Sequence, residues 1–227
     1  MKQMIVNPEQ FPDKTFFLQG PVGKIECLPG DPVDGEDRQA VGIICHPHPL
    51  FGGTMHNKVT HMIEKAFREL GAYTIRFNFR GVGETDGEFD DGNGETEDVI
   101  AIYNWVKELF PEHDIWLAGF SFGSYTALKA CPTVNPTQFL TIAPPVERYD
   151  YTQLEIPQCP WLIIQGEEDD VVTPKAVYNY VDTLEPRPQL ITFKAGHFFH
   201  RRLIDLKGAI KNGILRQLPE EETTSEE

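Results

Sequence analysis

Residues 115–130 read IWLAGFSFGSYTALKA, and the fold turns on how Gly119–Gly123 is read. Ile115 to Ala118 has the length and composition of a buried strand, and Ser124 to Ala130 has the character of a helix. Between them GFSFG holds Ser121, with a glycine two residues before it and another two after. A strand that turns abruptly into a helix crowds its backbone at the corner, and glycines at those offsets relieve the crowding. The same corner presents the hydroxyl and aims free helix N–H groups at any negative charge that develops beside it. A serine hydroxyl is nonetheless a poor nucleophile unless a base takes its proton. Ser121 is therefore a candidate nucleophile in search of a histidine and an acid, the alternative being a serine in a plain glycine-rich loop.

On either side of this stretch, short apolar runs alternate with longer amphipathic segments, the pattern of a parallel sheet with crossover helices. Strands are expected from Phe16–Leu18 through a hairpin to Cys27, then at Val41–Cys45, Tyr73–Phe79, Ile115–Ala118, Phe139–Ile142, Trp161–Gln165 and Leu190–Lys194. Helices are expected near Lys58–Leu70, Thr96–Leu109, Ser124–Ala130, Pro174–Leu184 and Leu203–Leu218. Open α/β sheets bind ligands beyond the carboxyl ends of their strands. Chemistry-bearing residues fall there: His46 and His48, Arg80, Ser121, the acids Glu167 to Asp170, and His197.

A base and an acid are available downstream of Ser121. "LITFKAGHFFH" puts His197 on a glycine-flanked turn after a strand, while His200 opens a helical segment and reads as a surface histidine. "WLIIQGEEDDVVTP" offers Glu167, Glu168, Asp169 and Asp170 after the preceding strand, and only one of them need turn inward. One oxyanion donor is expected at the amide of Phe122, directly after the nucleophile. The loop "CHPHPLFGGTMHNK" would give the other. Pro47 and Pro49 have no N–H, which leaves His48, Leu50 and Phe51. His46 and His48 share a face if the segment is extended, which raises a metal site, but no third ligand is placed. The expectation is no metal, with His46 a buried, hydrogen-bonded imidazole that shapes the loop.

At these residues the chain resembles the α/β-hydrolase superfamily. "HPHPLFGGTMHNKV", "RFNFRGVGETDGEFDDGNGETED", "GFSFG", "GEEDDVV" and "GHFFHRRL" together resemble a small, lid-poor bacterial serine-hydrolase subfamily, from about Phe16 to Leu218. The resemblance implies an α/β-hydrolase fold: a mostly parallel twisted sheet with helices on both faces and little or no cap. Its GxxD turn selects Asp169 as the acid, with Asp170 the alternate. Its dienelactone-hydrolase-like branch implies Leu50 as the second oxyanion amide. Arg80-Gly81 resembles the RGxGxS segment, with Thr85 for the usual serine. Glu95 and Asp98 are expected to be capping or surface charges. Superfamily caps follow the sixth strand, and the interval between Ile142 and Trp161 is too short for a helical lid. An open mouth is therefore expected, flanked by Phe120, Phe122, Val146, Tyr149, Tyr151, Phe198 and Phe199, with Phe120 and Phe198 against the substrate.

The resulting expectation is a cofactor-independent serine hydrolase of carboxylic esters or thioesters with short acyl groups, working through Ser121, His197 and Asp169. An acyltransferase or a peptidase would use the same machinery, and a non-catalytic binding protein would keep only the fold. Thirty-five acidic against 20 basic residues give a net charge of −15, which disfavours nucleic acid and anionic membrane surfaces as partners. Cys27, Cys45, Cys131 and Cys159 are scattered without a CxxC pair and read as reduced and structural. Residues 1–218 read as one domain and 219–227 as an acidic, disordered tail. The first residues lack a leader-like apolar run, so a cytoplasmic monomer or homodimer is expected.

Overall fold

The computed structural model describes residues 11–35 and 37–218, so the first ten residues and the tail expected at 219–227 lie outside the described residues. Eight strands form one sheet: β1 (Phe16–Gln19), β2 (Lys24–Gly30), β3 (Ala40–Cys45), β4 (Tyr73–Phe77), β5 (Asp114–Phe120), β6 (Gln138–Ile142), β7 (Trp161–Gly166) and β8 (Gln189–Phe193). Their order is β1-β2-β4-β3-β5-β6-β7-β8. The β1/β2 hairpin and the β2/β4 pair are antiparallel and every later pairing is parallel. The helices are α1 (Lys58–Glu69), α2 (Asn93–Leu109), α3 (Phe122–Val134), α4 (Pro174–Val181) and α5 (Leu203–Leu215).

The period of two along the central strands builds the two cores. On β5, Ile115 and Leu117 join Ile102, Val106, Leu128 and Val177 of α2, α3 and α4. Trp116, Ala118 and Phe120 point the other way, to Ile63 and Phe67 of α1 and Leu206 and Ile210 of α5. β7 repeats the division, with Ile163 on the first face and Leu162 and Ile164 on the second. Each fully buried aliphatic side chain of this kind contributes about 1.5–3 kcal/mol relative to exposure.

Element boundaries differ from the sequence expectation where local chemistry intervenes. α2 begins at Asn93 because the Glu95 carboxylate accepts the Gly92 N–H at 2.8 Å and the Asp90 N–H at 2.9 Å, capping the first turn. α3 runs past Pro132 to Val134: the proline gives up one N–H of the ladder, and the helix closes beyond it with the Asn135 N–H donating to the Cys131 carbonyl at 2.7 Å. Asp98 is not the cap or surface charge expected. It is buried and receives Arg80 Nη2 at 2.9 Å and the Arg80 backbone N–H at 3.0 Å. Burial raises the Asp98 pKa, opposed by these bonds. The pair ties the segment after β4 to α2.

Residues 143–160 contain turns and bends and no helix, as the short interval requires. All four cysteines carry free thiols whose pKa values burial pushes up. Among the described residues, no helix is long and apolar enough to cross a membrane.

Candidate active site

Ser121 stands between β5 and α3 at φ 54° and ψ −120°, a left-handed backbone that a residue other than glycine adopts at a cost of about 1–3 kcal/mol. Surrounding structure holds it there. The Ser121 N–H donates to the Ile142 carbonyl at 2.8 Å, and the Ser124 hydroxyl donates to the Gly119 carbonyl at 2.8 Å. The flanking glycines are sterically required: a Cβ on Gly119 would run into the Gly123 carbonyl, and one on Gly123 would run into the carbonyls of Cys45 and His46. The GxSxG spacing is thus the footprint of one tight corner.

Two further strand ends bring their side chains to that corner. His197, after β8, places Nε2 3.1 Å from Ser121 Oγ and Nδ1 2.8 Å from Asp169 Oδ2. Asp169 follows β7, and its other oxygen accepts the N–H groups of Val171 at 2.8 Å and Val172 at 2.7 Å. Gln165 Nε2, a side chain that sequence reasoning passed over, donates to Oδ2 at 3.1 Å. Burial alone would raise the Asp169 pKa, but the hydrogen bonds from His197 and from the Val172 and Val171 amides outweigh it and hold the carboxyl below its ordinary value. An ionised acid, an imidazole oriented by it and a hydroxyl in reach of that imidazole form a proton relay. Asp170 and His200 are exposed and outside it.

The relay opens into a cavity of about 380 Å³ lined by His48, Phe51, Asn57, Ser121, Phe122, Arg148, Tyr149, Val171, Val172, His197 and Phe198, together with prolines and glycines of the loops. Phe198 and Tyr149 stand where a mouth was expected. Phe120 does not line the cavity. It is fully buried on the α1/α5 face, its ring 5.0 Å from that of His197, which it backs. Phe199 and Tyr151 are likewise buried, and Val146 packs on the core rather than the cavity. Asn57, Arg148, Val171 and Val172 had no sequence signal beyond proximity to the motifs.

The loop after β3 departs from expectation at Leu50. Pro49–Phe51 forms a single 3-10 turn, and within it the Leu50 N–H donates to His48 Nδ1 at 3.2 Å. The Leu50 side chain is 67% exposed and does not line the cavity. The Phe51 N–H is also spent, on the His48 carbonyl at 3.2 Å. Of the loop candidates, His48 alone lines the cavity with a backbone N–H that has no acceptor among the described residues. Phe122 opens α3, so its N–H is one of the four that a helix leaves without an internal acceptor.

His46 has both ring nitrogens engaged, Nδ1 with the Pro47 carbonyl at 2.6 Å and Nε2 with the Phe79 N–H at 3.0 Å. Nδ1 carries the proton, and the single lone pair, on Nε2, is taken by the Phe79 N–H and is not free for a metal. Burial lowers its pKa to about 4 from 6.5. The unfolded chain therefore binds the extra proton between these values, and the stabilisation, complete above 6.5, is lost as pH falls toward 4. Urea unfolding is expected to show wild type losing about 2 kcal/mol more than His46→Gln between about pH 7 and pH 5. Equal losses in the two proteins would refute a neutral buried His46.

An eight-stranded sheet of this order with a sharp strand–serine–helix corner defines an α/β-hydrolase fold. Comparison with known proteins agrees: the alpha/beta hydrolase fold family matches residues 44–142, and the serine hydrolase (FSH1) family matches residues 94–202. A crystal structure of an α/β serine hydrolase without a lid from Xanthomonas campestris is 44% identical with a TM-score of 0.88, covering 92% of this chain and 97% of that one. An α/β serine hydrolase homologue from Coxiella burnetii is 43% identical with a TM-score of 0.86, covering 89% and 97% respectively. An uncharacterized protein of Rickettsia prowazekii is 32% identical over 214 residues, 88% of each chain. The chain belongs to the α/β serine hydrolases without a lid.

Proposed function

We propose that the protein hydrolyses carboxylic esters or thioesters of small acyl groups, with Ser121 as nucleophile, His197 as general base and acid, and Asp169 as its orienting carboxylate. The observation that carries this reading is the unbroken relay from Asp169 Oδ2 through His197 to Ser121 Oγ at the floor of a cavity. Ser121 Oγ attacks the carbonyl carbon as His197 Nε2 takes its proton. The tetrahedral oxyanion is held by the N–H of Phe122 and, in place of Leu50, the N–H of His48. Collapse breaks the bond to the alcohol or thiol, which leaves with the proton from His197. Water, deprotonated by the same imidazole, then attacks the acyl-enzyme and releases the carboxylic acid and Ser121. The reading treats residues 1–218 as one catalytic domain, and a serine with its own base needs no cofactor.

A small, mostly apolar cavity favours short acyl chains. With p-nitrophenyl esters of increasing chain length, kcat/KM is expected to peak at the short acyl groups and fall by about 10-fold or more for chains whose added methylenes no longer fit. A rate that rises steadily with chain length would overturn the small-acyl assignment while leaving the nucleophile untouched.

A further inference from the structure

Arg148 is the one cavity-lining residue with a permanent charge among the described residues. It sits in the turn after β6, where its N–H donates to the Pro145 carbonyl at 3.0 Å. Arg148 is exposed, and its guanidinium has no acidic partner within ion-pair distance among the described residues, as holds also for Arg201 and Arg216, whereas Arg68, Arg76, Arg80, Arg187 and Arg202 are paired. This happens in a chain with 35 acidic residues, two of which, Glu147 and Asp150, flank Arg148 in sequence. Asp150 Oδ1 accepts the N–H and hydroxyl of Thr152, at 2.9 and 2.6 Å, and the carboxylate is not ion-paired with Arg148. Asp91 acts electrostatically on His48 and Tyr149, the same two rings that feel Arg148, but with opposite sign. It does not line the cavity and is not ion-paired with Arg148. The fork of N–H donors at the cavity wall is thus unclaimed by protein, and its planar geometry matches a carboxylate.

We infer that Arg148 determines specificity, and that the substrate is a small ester or thioester carrying a carboxylate that Arg148 binds while Ser121 attacks the scissile carbonyl. This rests on the proposal that the Ser121 cavity is the substrate site. The neighbouring apolar wall of Phe51, Phe122 and Val172 receives the rest of the molecule. The charge of −15 on the whole chain does not forbid an anionic substrate, because ions screen distant charges over about 8 Å at physiological ionic strength, while a charge at the cavity wall acts directly.

The test compares matched esters in wild type, Arg148→Leu and Arg148→Lys. Monomethyl glutarate against methyl pentanoate puts the carboxylate on the acyl portion, and 4-acetoxybenzoate against phenyl acetate puts it on the leaving group. For at least one pair, wild type is expected to favour the carboxylate ester, and Arg148→Leu to lower the charged-to-neutral ratio of kcat/KM by about 10- to 100-fold, the size expected for a charge-assisted hydrogen bond. The loss on its neutral partner is smaller, Ser121 still takes the fluorophosphonate label, and Arg148→Lys falls between. The pair that responds identifies the portion bearing the anion. Unchanged charged-to-neutral ratios in both pairs would overturn the inference. If wild type takes no label and turns over nothing, the hydrolase reading fails separately, and the anion site is then judged by melting temperature. Glutarate raises it in wild type and not in Arg148→Leu if the site exists, and a shift in neither would overturn it.

Discussion

Ser121→Ala is expected to lower kcat/KM for phenyl acetate by about 10⁴- to 10⁶-fold and to abolish fluorophosphonate labelling, with the far-UV spectrum unchanged. The size follows from the chemistry: without Oγ no acyl-enzyme forms, and His197 is left to activate a loosely held water. Residual catalysis then comes from the oxyanion donors and from binding alone. Folding is expected to survive, because the corner is held by backbone groups and by Ser124. The Ser121 N–H to Ile142 bond and the Ser124 hydroxyl bonds to Gly119 and Ile142 do not involve the Ser121 side chain. Alanine also meets the positive φ with no greater bulk at Cβ than serine. Rates on phenyl acetate and labelling followed by mass spectrometry check the prediction. A variant retaining more than about a hundredth of wild-type activity would assign the nucleophile elsewhere.

Much of this architecture was legible because it is written in local periodicity. The apolar runs, the two-residue alternation and the glycine offsets around Ser121 each have a short-range physical cause. What was not legible depends on chain direction at a single corner or on partners far away in sequence. Phe120 was expected at the open mouth, against the substrate. Strand parity, shared with Trp116 and Ala118, instead turns it to the opposite face from Ile115 and Leu117. Leu50 was expected to aim its amide at the oxyanion, and the 3-10 turn over Pro49–Phe51 rotates that amide onto His48. Asp98 read as a capping or surface charge because its partner, Arg80, lies 18 residues away in sequence. Arg148 gave no signal because nothing local distinguishes a charge in a turn from a charge at a cavity wall.

The four contiguous acids after β7 are the sharpest case, and they give the second large effect: Asp169→Asn is expected to lower kcat by about 10⁴-fold, and Asp170→Asn by less than about 2-fold. Four donors converge on the Asp169 carboxylate. Val171 and Val172 N–H groups reach one oxygen, and His197 Nδ1 and Gln165 Nε2 reach the other. A carboxylate accepts all four, but an asparagine has one oxygen and a donating amide. The two backbone N–H groups cannot move away, so the oxygen must serve them, and the new NH₂ then faces His197. Imidazole answers by presenting Nδ1 as an acceptor, which puts its proton on Nε2, pointing at Ser121 Oγ. A protonated Nε2 cannot take the hydroxyl proton, so the base is lost while every heavy atom stays in place. Asp170 is exposed and contributes nothing to this arrangement. Measuring kcat for both variants, with melting temperatures to show that each is folded, decides between the adjacent acids. A large loss in Asp170→Asn with a small one in Asp169→Asn would mean that the acid oriented toward His197 in the working enzyme is not the one in the relay.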